Sequence, residues 1–128
     1  LEMVKTANIE DTLKMIIETG MEIGHSIQKK SGGRRVVDSI SGLVLSFGEA
    51  PVYQFLSQIV HTSKAFGGVT TIYTLADEAV TGEQSANIKN FMDIVIQLKV
   101  EPAGVYAQIT NMKWAKYNTS KVKLWTKM

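Results

Sequence analysis

Three short runs rich in β-branched residues, at 34–39, 69–75 and 94–98, are separated by segments whose apolar residues recur at helical spacing. That alternation constrains the chain more than any other feature. β-Branched side chains pack well on a pleated surface and crowd a helix. Apolar strands with helices between them cannot pair through tight turns. They need crossover connections, and these produce a mainly parallel sheet with helices on its faces.

The helical segments have readable ends. Ile9, Leu13, Ile16, Ile17, Gly20, Ile23, Gly24 and Ile27 form one stripe, with Asn8 as N-cap and Asp11 three residues on. This spacing predicts a helix over 9–29, ended by Ser31, Gly32 and Gly33. Pro51 suits a first helical turn, where its missing N–H is no loss. Val52, Phe55, Leu56, Ile59 and Ser63 then share a face, up to a stop at Gly67 and Gly68. Residues 40–47 read as a packed loop or short helix, 76–82 as a polar loop, and 84–91 as a short helix. After a turn at 101–104, residues 105–112 and 121–125 alternate as antiparallel strands do. With a short strand at 1–6, the order is β-α-β-α-β-α-β-β-β in a single domain, and the three apolar runs are expected to be buried strands.

Composition narrows the class. Hydrophobic residues make up 45% and charged residues 20%, the balance of a globular protein. A net charge of +2 is too small to indicate nucleic acid by itself. No apolar run approaches the roughly 20 residues that span a bilayer, so no membrane partner is expected. Glu10, Asp11, Glu18 and Glu22 break any signal-peptide pattern. The absence of cysteine removes disulfides and thiolate metal sites, and a cytoplasmic location is the expectation. The chain starts at Leu1, which suggests an excised piece, a processed product, or vector residues ahead of a start at Met3.

The segment Arg34-Arg35-Val36-Val37-Asp38-Ser39-Ile40-Ser41 resembles a Walker B strand of the RecA superfamily, in the spelling of KaiC-like ATPases. A hydrophobic strand of this kind carries a carboxylate to the sheet edge where Mg²⁺ and phosphates sit. Taken alone, Asp38 also reads as a strand-end or loop-capping carboxylate. Residues 68–75 are similar to the next strand of that family, which ends beside the γ-phosphate. Residues 91–98 are similar to its short helix leading into a strand. Residues 109–113 with 121–125 are similar to its terminal hairpin. The resemblance covers almost the whole chain and implies a three-layer, mainly parallel RecA-like sheet with a C-terminal antiparallel hairpin.

The resemblance also implies site residues. Asp38 would serve the metal side of a bound nucleotide, holding Mg²⁺ through water, with Ser39 and Thr74 beside it. The family hairpin carries two basic residues, one position apart, that reach a neighbouring subunit's nucleotide. Lys113 occupies the second position and Asn111 the first, and Trp114 stands where many KaiC-like members have glycine. Read without the family, Lys113 is a solvated charge on an edge strand.

No GxxxxGK[ST] occurs in the sequence, and neither Gly32-Gly33 nor Gly67-Gly68 is followed by Lys-Ser/Thr. Such a loop grips phosphates through consecutive backbone N–H groups and a helix N-terminus. The family strands that carry it and the catalytic glutamate have no counterpart here. The resemblance therefore implies the C-terminal half of an ATP-binding domain, from Walker B onward. This half would be non-catalytic alone and without a cofactor of its own, with ATP and Mg²⁺ implied only for a parent that has the loop. A naturally shortened assembly module and a recombinase-like DNA-binding ATPase fragment are the alternatives. Sheet edges without neighbours invite pairing, so a homo-oligomer is expected, or else residues 1–6 cover the Asp38 strand.

Other candidates are weaker. His25 and His61 have no metal-ligand spacing and read as surface groups near helix C-termini. Ser39, Ser41 and Ser46 do not fit GxSxG. Asp77, Glu78 and Glu83 read as a solvated loop, or as a ligand-contact loop after a strand. Lys113, Lys116, Lys121, Lys123 and Lys127, interleaved with Trp114, Tyr117 and Trp125, suit nucleic acid and equally an edge protected by lysines. Nucleic acid is the less favoured of these two.

Overall fold

The computed structural model describes residues 9–27, 33–65 and 69–125. The expected strand at 1–6, the Asn8 cap, the helix end at 28–32, the Gly67-Gly68 stop and Lys127 lie outside them. The chain forms two compact units, Leu1–Ile88 and Lys89–Met128.

In the first unit α1 (Ile9–Ile27), β1 (Arg34–Val37), α2 (Ile40–Phe47), α3 (Glu49–Ala65) and β2 (Thr70–Tyr73) follow one another. A 3₁₀ turn at Asp77–Ala79 then leads to α4 (Gly82–Lys89). β1 and β2 pair in parallel, with Arg34 opposite Thr70 and Val37 opposite Tyr73. The α2–α3 segment makes the crossover that a parallel pair requires.

Each helix has a local cause. Ser39 caps α2, its Oγ accepting the Gly42 N–H at 3.1 Å. A Cβ at Gly42 would lie 3.3 Å from that oxygen, so the glycine leaves the cap room. Gly48, at φ 85°, ends the helix by donating its N–H to Val44 O at 2.8 Å. That left-handed conformation favours a residue without Cβ. Pro51 lies in the first turn of α3. α4 opens with a reciprocal capping pair: Gln84 N–H donates to Thr81 Oγ1 at 3.1 Å, and Thr81 N–H to Gln84 Oε1 at 3.0 Å.

The core of this unit joins Ile9 and Leu13 of α1, Ile40 and Val44 of α2, Val52, Phe55, Leu56 and Ile59 of α3, and Ile88 of α4. α3 packs on both α1 and α2. Ser63 continues the α3 stripe as a buried polar residue. Its Oγ donates to Ile59 O at 2.7 Å and accepts from Arg35 Nη1 at 3.1 Å, tying α3 to β1.

The expectation of fully buried strands needs refinement. Arg35, Val37, Thr71 and Tyr73 are half-buried, whereas Val36 is 66% and Ile72 60% exposed. Among the described residues no strand pairs with the outer edge of β1 or β2. Parallel strands are buried on both faces only where helices cover both, and here one face is bare. The Thr71 and Tyr73 hydroxyls are buried and make no hydrogen bond.

The second unit is an antiparallel sheet of β3 (Ile94–Glu101), β4 (Gly104–Met112) and β5 (Val122–Trp125), in that order. The C-terminal hairpin is thus built onto the third apolar run. Ile96, Leu98 and Val100 lie opposite Ile109, Ala107 and Val105, forming one apolar face. Gln97 and Lys99 lie opposite Gln108 and Tyr106 on the other. Ile96, Leu98, Val100 and Val122 are exposed. No described helix is long and apolar enough to cross a membrane.

Leu56 is fully buried and Leu45 exposed. Urea denaturation is expected to show Leu56→Ala destabilised by about 2–5 kcal/mol and Leu45→Ala within about 0.5 kcal/mol of the parent. Burial pushes the Tyr73 phenol above its ordinary value of 10.0, against a smaller opposing pull from the Arg35 charge. The folded chain therefore holds this proton after the unfolded chain has released it. The associated stability is full below pH 10.0, falls as pH rises from there, and is lost once pH has passed the raised folded-state value. Tyr73→Phe should abolish that alkaline loss. Removing an unsatisfied buried hydroxyl should also leave neutral-pH stability unchanged or raised by up to about 1 kcal/mol, as denaturation at pH 7 and pH 11 would measure.

Candidate functional site at the carboxyl ends of β1 and β2

Because β1 and β2 are parallel and in register, the residues that follow them emerge side by side. Asp38 follows Val37 and Thr74 follows Tyr73. The sheet ladder continues to this point, with Thr74 N–H donating to Val37 O at 3.1 Å and Ile40 N–H to Thr74 O at 2.9 Å. Thr74 Oγ1 donates to Asp38 Oδ1 at 2.5 Å. Both residues are exposed, so a solvent-facing carboxylate is held by a hydroxyl 36 positions away in sequence.

Ser39 lies behind them as the α2 cap. Ser41, the last residue of the Walker B-like segment, completes the arrangement. It is buried, donates Oγ–H to Ser39 Oγ at 3.2 Å, and accepts the Ala76 N–H at 3.2 Å. One serine thus binds the start of α2 to the segment after β2. Its signal was available in the sequence, because a serine beside Ile40 on the face shared with Val44 points into the core.

The remaining candidates are placed elsewhere. Asp77 Oδ1 accepts from Ser85 Oγ at 2.7 Å, which fixes α4 to the turn before it. Glu78 and Glu83 are exposed, as is His61. The His25 side chain is outside the described residues. Lys113 belongs to the second unit, where its Nζ donates to Asn90 O at 2.7 Å and its N–H to Asp93 O at 2.9 Å. The structure therefore brings together Asp38, Ser39 and Thr74, and places Lys113 in a separate unit.

Among the described residues no group of three or more His, Asp or Glu could hold a metal ion. Asp38 with Thr74 offers one carboxylate and one hydroxyl. That donor set fits an outer contact to a hydrated Mg²⁺ whose other ligands come from a phosphate, and does not fit a metal held by this chain alone.

No family model matches the chain, and no curated protein is similar to it. Its structure is similar to that of a KaiC-like protein from the hyperthermophilic archaeon Pyrococcus horikoshii OT3, with a TM-score of 0.60 and 20% identity. The match covers 92% of this chain and 50% of that one, so this chain spans about half the length of the solved structure it matches. At this identity the likeness shows the fold alone: mixed α/β, similar to about half of that KaiC-like protein.

Ser39→Ala removes the cap and the contact to Ser41 together. It is expected to destabilise the first unit by about 1 kcal/mol, within the 0.5–2 kcal/mol usual for N-cap loss. Ser39→Gly should lose less, and chemical denaturation followed by far-UV circular dichroism distinguishes the two.

Proposed function

We propose that this chain is the C-terminal portion of a KaiC-like ATP-binding regulatory protein, supplying the metal-side edge of a nucleotide site that it cannot complete alone. The observation that carries this reading is the Asp38–Thr74 pair at the carboxyl ends of adjacent parallel strands. In open α/β sheets ligands bind beyond that edge. Asp38 would hold the water shell of a nucleotide-bound Mg²⁺, Thr74 would orient the carboxylate, and Ser39 and Ser41 would hold the segment rigid.

Catalysis by this stretch alone is not part of the proposal. Triphosphate binding in this superfamily needs the backbone cradle of a phosphate loop, and GxxxxGK[ST] is absent from the sequence. Lys113 would act across an assembly on a neighbouring subunit's nucleotide, after releasing the Asn90 carbonyl. A cytoplasmic location fits this role.

A second reading, a shortened assembly module that handles no nucleotide, is favoured by the exposed apolar pair Val36 and Ile72 and by the edges beside them, which pair with no further strand among the described residues. Both readings include a homo-oligomer.

Calorimetric titration of the 128-residue chain with Mg-ATP is expected to show no tight binding, and micromolar affinity would contradict the proposal. Sequencing the genomic DNA upstream of the Leu1 codon separates the two readings. An in-frame GxxxxGK[ST] supports the ATP-binding parent, and in that longer protein Asp38→Asn should lower ATPase turnover at least tenfold. A stop codon immediately upstream supports the assembly module.

A further inference from the structure

The division into two units exposes a charge segregation that the net charge of +2 conceals. Residues 89–128 carry seven lysines against Asp93 and Glu101, a formal +5. Residues 1–88 carry seven lysines and arginines against ten acidic residues, a formal −3. The second unit is only 40 residues long, so its positive charge is dense. One of its two carboxylates, Glu101, is paired with Lys121 at 2.7 Å.

The sheet register organises this charge. Lys99, Tyr106 and Lys123 lie opposite one another across β3, β4 and β5. The Lys121 ammonium sits 5.0 Å from the centre of the Tyr106 ring. Basic groups thus surround an aromatic ring on the polar face of the sheet. The segment between β4 and β5 is held in place: Gln108 Nε2 donates to Thr119 O at 2.7 Å, Tyr117 OH to Thr110 O at 3.2 Å, and Ser120 N–H to Asn118 Oδ1 at 2.8 Å. It presents Lys116 and Trp114 to solvent. Trp114 is 64% and Trp125 58% exposed. An indole so exposed leaves much of its apolar area in water, an arrangement associated with binding surfaces.

We propose that the β3–β5 unit binds single-stranded nucleic acid, with Lys99, Lys116 and Lys123 meeting phosphates and Trp114 stacking on bases. Lysines along a surface track a phosphate backbone, and exposed aromatic rings take unpaired bases of any sequence. A duplex buries the base faces that the Trp114 indole would need. This inference does not depend on the nucleotide-site reading, since none of its residues belongs to the Asp38–Thr74 site.

The two tryptophans are the only ones in the chain, so intrinsic fluorescence reports on this unit alone. Titrating the 128-residue chain with a 15-nucleotide oligo-dT is expected to quench that emission. The affinity should fall with salt at a logarithmic slope of roughly −2, corresponding to about three neutralised phosphates. A Lys116→Glu/Lys123→Glu variant should bind at least tenfold more weakly with an unchanged circular dichroism spectrum, and Lys14→Glu on α1 should bind like the parent. Trp114→Phe should lose part of the quenching and retain the salt slope. Four results would each overturn the proposal: no quenching by oligo-dT, equal affinity for a duplex of the same length, equal quenching by heparin, or binding confined to phosphatidylserine vesicles.

Discussion

The parallel register of β1 and β2 is the constraint on which the first unit depends. Two parallel strands cannot be joined by a turn, so the chain between them must return across the sheet. α2 and α3 make that return, and the buried stripe Val52, Phe55, Leu56 and Ile59 anchors it. Once the strands lie side by side in the same direction, the residues after each strand emerge at one edge. The contact between Asp38 and Thr74 is a consequence of topology, because nothing in the local sequence of either residue would create it.

The surroundings of that contact show how little of a site resides in its conspicuous residue. Two hydrogen bonds among Ser39, Ser41 and Gly42 order the start of α2, and a third, from the Ala76 N–H to Ser41 Oγ, holds it to the segment after β2. Asp38 is oriented by Thr74 on one side and follows directly from a strand on the other. The carboxylate and its hydroxyl partner are both open to solvent.

Both units share an imbalance between their faces. Val36 and Ile72 in the first, and Ile96, Leu98, Val100 and Val122 in the second, expose apolar side chains. Their opposite faces carry Arg35 bonded to Ser63, and the Lys99–Tyr106–Lys123 row. A β-branched run shows that a segment is a strand and says nothing about whether both faces are covered, because coverage depends on what packs above and below. This is why the runs at 34–39, 69–75 and 94–98 were recognisable as strands while their half-exposure was not.

Local order was therefore written in the sequence. The α1 and α3 stripes, Ser39 and Thr81 before their helices, Gly48 after α2 and the alternation in β4 act within a few residues, and short-range sterics and capping suffice to decide them. Asp38 and Thr74 were identifiable as candidates through their resemblance to a known pattern. Only the tertiary structure decided that their side chains meet, that Ser41 braces them, that Lys113 lies in a separate unit, and that basic charge gathers around Tyr106 on one sheet face. Each of these depends on long-range pairing, since register brings together residues whose separation along the chain carries no trace of the contact.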